Sequence, residues 1–174
     1  TGCYCSYDKL KTQRLRFCDK CWQGRMRQFD HDPISKTVWS TLEKIGVDYK
    51  GPFPKKTYDG YIGYFLFSDQ ASNFMQSYLV KSQKALQWCL QDFLTRIVKA
   101  TGHTWRVLQC DRASSHIKSS VIDWLIKNTI RVQYSGPYKH SQNGMVERDI
   151  GFVMDRARTI MAQYNVPMSM WGFA

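Results

Sequence analysis

The 174-residue chain has no run of about 18 apolar residues and no signal peptide. Neither secretion nor a bilayer-spanning helix is therefore expected. It also lacks internal repeats and low-complexity tracts, which argues against a solenoid or a linker-like chain. Acid is scarce: 14 Asp and Glu face 25 Lys and Arg, leaving a net charge of +11. A surface so basic attracts polyanions, and nucleic acid is the usual one, although charge alone also suits a merely soluble basic domain. Cysteine is present but not arranged as a disulfide framework. Of six, Cys3, Cys5, Cys18 and Cys21 crowd the N-terminus, while Cys89 and Cys110 stand alone in apolar segments. That pattern fits a reducing, intracellular setting and a metal site better than secreted crosslinks. With 43% hydrophobic and 14% aromatic residues, a full core is available. The chain begins without methionine and ends without a helix-stop signal, as expected of a fragment.

Residues 1–33 are basic and polar and contain the pair Cys18-x-x-Cys21, then the linker-like Asp30-His31-Asp32-Pro33. Residues 34–174 carry the main domain. Leu42–Tyr49, Tyr61–Ser68 and Phe74–Val80 read as strands, the last two joined by a hairpin through Asp69–Asn73. Leu86, Leu90, Phe93, Leu94, Ile97 and Val98 recur at helical spacing, and Gly102 stops that helix. Trp105–Cys110 reads as a strand, Ser120–Asn128 as a short helix, Ile130–Tyr134 as a strand. A long amphipathic helix runs from about Val146 to Tyr164, ahead of Pro167. The series makes an α/β domain with a mixed sheet.

Three acids fall at element ends. Asp48 lies near the end of the first strand, Asp111 directly follows Cys110, and Glu147 is expected to open the last helix. Acids so placed reach a sheet edge where ligands bind. If they converge, their mutual repulsion calls for a hard divalent cation with oxygen ligands. Each acid taken alone reads more readily as a solvated turn former or a charge favoured by the helix dipole. Spacing does not decide between the two.

The neighbouring residues are more specific. Pro137-Tyr138-Lys139-His140-Ser141-Gln142-Asn143-Gly144-Met145-Val146-Glu147-Arg148 resembles the P-x-x-x-x-x-N-G-x-x-E-R signature of retroelement integrases, closest to the copia type of LTR retrotransposon. Ala157-Arg158, Trp171 and Ala174 continue the likeness, and Asp48-Tyr49-Lys50-Gly51-Pro52 is similar to the D-x-x-G-P around that family's first carboxylate. The resemblance covers roughly residues 15 to 174. It implies a ribonuclease H-like five-stranded mixed sheet flanked by helices. It also implies a DNA-joining enzyme with Asp48, Asp111 and Glu147 as catalytic residues and ligands of Mg²⁺ or Mn²⁺, as two ions. Such an enzyme trims the element's DNA ends, joins their 3′ ends to target DNA, works as a multimer and acts in the nucleus. Phe17-Cys18-Asp19-Lys20-Cys21 looks like the end of the family's N-terminal zinc module, so Cys18 and Cys21 are candidate Zn²⁺ ligands in a longer parent. Tetrahedral zinc needs four ligands, and whether Cys3 and Cys5 take part stays open.

Basic and polar groups around the acids are candidates for phosphate and sugar contacts: Lys50, Lys139, Gln142, Asn143 and Arg148. Residues 136–144, with glycine at both ends, are expected to form a loop that clamps the DNA strand. Three departures from the family pattern stand out. Asp111 is followed by Arg112-Ala113-Ser114-Ser115-His116 rather than Asn-Gly, placing a cation beside a proposed metal ligand. Gly151 stands where the family often has a basic residue, and Asp69-Gln70-Ala71-Ser72-Asn73 departs from the commoner D-D-x-S-R. Two other readings therefore stay open: a catalytically decayed nucleic-acid-binding remnant, and a ribonuclease H-like nuclease.

Overall fold

A computed structural model describes residues 38–111, 117–134 and 140–174, with 140–143 described by their backbone. These residues fall in one compact unit, Val38–Ala174. The expected boundary near Pro33, the zinc-module remnant and the linker lie outside the described residues.

Three antiparallel strands come first: β1 (Lys44–Lys50), β2 (Gly63–Asp69) and β3 (Met75–Val80). Two more, β4 (Val107–Cys110) and β5 (Arg131–Tyr134), add parallel to β1 and to each other, giving the order β3-β2-β1-β4-β5. Every residue of β2 is buried, as its continuous apolar and aromatic sequence requires of a strand covered on both faces. The β2–β3 turn forms where expected. Asp69 caps it by accepting from the Ser72 amide at 2.9 Å and the Ser72 hydroxyl at 2.6 Å. Asn73 takes the left-handed conformation (φ 58°) that asparagine tolerates well.

Helices cover both faces. On one face lie α1, beginning at Leu86–Asp92, and α2 (Ser119–Lys127). Their Leu90, Phe93, Val98, Val121 and Leu125 pack on Ile45, Val47, Phe65, Phe67 and Leu108. From Phe93 to Lys99, α1 loosens into π-type turns, a departure from the regular period read in the sequence. Phe93 stacks on Phe67 with ring centroids 4.8 Å apart and meets the edge of Trp105 at 5.4 Å. The wider turn accompanies the burial of Phe93, Leu94 and Val98. On the other face lies α3 (His140–Gln163), whose Val146 and Ile150 pack with Tyr64 and Leu66. A mixed five-stranded sheet with helices on both sides is the arrangement of a ribonuclease H-like α/β fold.

Two expectations about α3 need correction. Residues 140–144 are helical rather than loop, and α3 starts at His140, so Glu147 sits about two turns inside it rather than opening it. No proline or other strong breaker lies between His140 and Asn143 to stop the helix. Gly144 and Gly151 are carried within it at about 1 kcal/mol each.

The seat of α3 is set at Gly46. A Cβ there would collide with Cγ2 of Val146, so only glycine lets the helix lie this close to the central strand. Gly46→Ala is expected to destabilise the domain by about 1–3 kcal/mol through overpacking. Gly151→Ala, with nothing within 4 Å of the added carbon, should stabilise by about 0.5–1 kcal/mol. Urea unfolding midpoints at unchanged slope would show the opposite signs; equal effects would contradict this packing.

Candidate active site

The strand register brings two of the acids together. Gly46 of β1 pairs with Gln109 of β4, and extending this parallel register by two residues sets Asp48 opposite Asp111. Neighbouring strands run roughly 5 Å apart, so the two backbones are adjacent at the C-terminal ends of parallel strands. Side-chain alternation settles the face. Ile45 and Val47 point into the core under α1, so Gly46, Asp48 and Lys50 point toward α3. Asp48 pairs across β1–β2 with Leu66, one of the residues packed under α3.

Neighbouring groups register the two charges. Burial, with a further push from Asp48, raises the Tyr64 phenol to about 12. Burial, then Asp111, raises the Cys110 thiol to about 12. The Asp48 carboxylate is half-buried and accepts from the Tyr49 amide at 2.8 Å. Asp111 and Glu147 are exposed.

Glu147 follows the residue seated on Gly46. Its place two turns inside α3 removes the helix-dipole explanation for a glutamate there, because that effect fades within the first turn. Carboxylates of this kind suit a hard divalent cation. Among the described residues, which include all three acids, no three His, Cys, Asp or Glu side chains are grouped to hold a metal ion. The three carboxylates do not converge in this conformation, and a cation would have to draw them together.

The remaining candidates are distributed as follows. Lys50 is exposed at the end of β1. Arg148 keeps its side chain 69% exposed while its Nε lies 3.6 Å from Asp149. Gln142 and Asn143 sit in the first turns of α3. Lys139, Arg112, Cys18 and Cys21 lie outside the described residues. Cys89 and Cys110 are buried core thiols, as their apolar surroundings imply.

One acid escaped the sequence reading. Asp149 is buried on the sheet-facing side of α3, where it accepts a hydrogen bond from the fully buried Ser68 hydroxyl. Its spacing held the clue: Val146, Asp149, Ile150 and Val153 form a stripe at intervals of three and four. A groove of about 700 Å³ also lies on the α3 side, lined by Phe53, Leu79, Met154, Met161 and Trp171, with Lys50 among its lining.

Comparison with known proteins adds ancestry to this geometry. The chain is 23% identical over 169 residues to the retrovirus-related Pol polyprotein from transposon TNT 1-94 of Nicotiana tabacum, covering 97% of this chain and 13% of that protein. It is 26% identical over 152 residues to the Pro-Pol polyprotein of feline foamy virus, covering 82% of this chain and 12% of that protein. Both of these relatives are Pol polyproteins, one from a transposon and one from a foamy virus. It spans about an eighth of the length of these two Pol relatives. No family profile matches it.

Three buried thiol and phenol groups have a measurable consequence. Cys89, Cys110 and Tyr64 all have folded pKa values raised to about 12, from ordinary values of 9.0 for the thiols and 10.0 for the phenol. Between about pH 9 and 12 the folded state then holds more protons than the unfolded one. This contribution is full below the unfolded values and is lost as pH climbs through the folded ones. Unfolding free energy should fall steadily over that range; a flat profile from pH 9 to 11 would contradict the burial of these groups.

Proposed function

We propose that the chain is the catalytic core of a retroelement integrase: a metal-dependent polynucleotidyl transferase that processes element DNA ends and joins them to target DNA. The observation that carries this reading is the parallel pairing of Gly46 with Gln109, whose extension by two residues sets Asp48 beside Asp111, together with the packing of α3, which bears Glu147, across β1 and β2. Likeness to Pol polyproteins supports the same class.

Mg²⁺ or Mn²⁺ held by Asp48, Asp111 and Glu147 would supply Lewis acidity for in-line displacement at phosphorus. The chain's own groups do the positioning. Lys50 and Arg148 are exposed cations on elements that carry two of these acids, suited to hold phosphate. Lys139, Gln142 and Asn143, just before Glu147 in sequence, would add contacts to sugar and phosphate. Asp48 is steadied by the Tyr49 amide. Cys18 and Cys21 would serve as zinc ligands in a longer parent protein. The reading carries with it DNA as partner, assembly into a multimer so that paired ends are held together, and action in the nucleus.

A second reading has its own support. Arg112 follows Asp111 directly, and the described acids form no ready-made metal group. On that reading the chain binds nucleic acid through its positive surface and performs no chemistry.

Strand transfer by the intact parent protein separates them. Mg²⁺- or Mn²⁺-dependent joining is expected to fall at least about a hundredfold on Asp111→Asn or Glu147→Gln, more than loss of an outer-shell partner of a metal typically costs. DNA binding should survive both changes. Full activity in either variant, or DNA binding with no joining by the unaltered protein, would sink the transferase reading; the latter result would leave the remnant.

A further inference from the structure

We propose that Asp149 is a positioning residue: through its bond with Ser68 it fixes the register of α3 on the sheet and thereby places Glu147 relative to Asp48 and Asp111. The catalytic part of this inference rests on the transferase reading; the mechanical part does not.

Two contacts meet at one cross-strand pair. Gly46 of β1 and Ser68 of β2 are register partners. Val146 seats on Gly46, and three residues further along the helix Asp149 accepts the Ser68 hydroxyl. One contact is steric and the other directional, and they act on positions that share a helix face. A helix packed only by Val146, Ile150, Val153 and Met154 can slide or roll over an apolar surface at small cost, because such contacts are non-directional. The hydrogen bond removes that freedom, and Glu147 lies between the two anchored positions.

Burial sharpens the constraint. Ser68 is 0% exposed and Asp149 8%, so separating them leaves both groups without water as a substitute partner. The second Asp149 oxygen faces Arg148 Nε at 3.6 Å, which offsets its charge toward the solvent side. A buried polar pair at one point in an apolar seam is a poor way to add stability and a good way to specify register. Register matters here because one residue of slippage shifts a helix by about 1.5 Å and turns it by about 100°. A displacement of roughly 1 Å in a reacting group can cost about a hundredfold in rate.

The test uses Ser68→Ala, Asp149→Ala and Asp149→Asn, whose amide oxygen still accepts from Ser68. Amide hydrogen exchange over residues 146–154 reads the register without reference to activity. Protection there should drop at least tenfold in Ser68→Ala and Asp149→Ala and stay near that of the unaltered chain in Asp149→Asn. In the intact parent protein, kcat for strand transfer should fall tenfold or more in the two Ala variants at unchanged KM for DNA. Asp149→Asn should recover to within about threefold. If Asp149→Ala does not fold, Ser68→Ala alone decides. Unchanged protection in Ser68→Ala would overturn the clasp. A loss carried by KM, or Asp149→Asn as impaired as Asp149→Ala, would overturn the positioning role. Should the unaltered protein join no DNA, the transferase reading fails, and exchange alone judges the clasp.

Discussion

Parallel pairing of β1 with β4 is the constraint on which the rest of the molecule depends. β1 is antiparallel to β2 on one side and parallel to β4 on the other. That junction sets the C-terminal end of β4 beside the C-terminal half of β1, in the middle of the sheet. Side chains there cannot retreat to an edge. Asp48 and Asp111, set there by extension of that register, are carboxylates on neighbouring strands. On the proposed transferase reading, a divalent cation would be held there.

The third carboxylate comes from a different layer, so its position depends on packing rather than on hydrogen-bonded register. Gly46 gives α3 its close approach, and the Ser68–Asp149 bond gives it a direction. The sheet therefore sets the level of two acids, and the packing of α3 sets that of the third. On the proposed transferase reading, the cation would draw the three together.

Much of this was legible in the residues. The unbroken apolar run of β2 announced a strand buried on both faces, and Asp111 directly after Val107–Cys110 announced an acid at a strand end. The helical stripes of α1 and α3 were visible as well. Other features were not. The start of α3 was misplaced because Gly136 and Gly144 look like loop punctuation, whereas a glycine inside a long helix costs only about 1 kcal/mol against many packing contacts. Asp149 was passed over because an acid beside Glu147 and Arg148 reads as solvated surface. Its partner Ser68 is 81 positions away, and only the folded register reveals the pair. The π-type turns of α1, where Phe93 packs against Phe67 and Trp105, had no local signature in the sequence.

The proposed transferase reading requires that Asp48, Asp111 and Glu147 share a divalent cation. Calorimetric titration of the 174-residue chain with Mn²⁺ tests it most directly. Saturable binding at neutral pH, weakened at least tenfold by Asp48→Asn, is the result this account predicts. Absence of binding, or binding indifferent to Asp48, would contradict it.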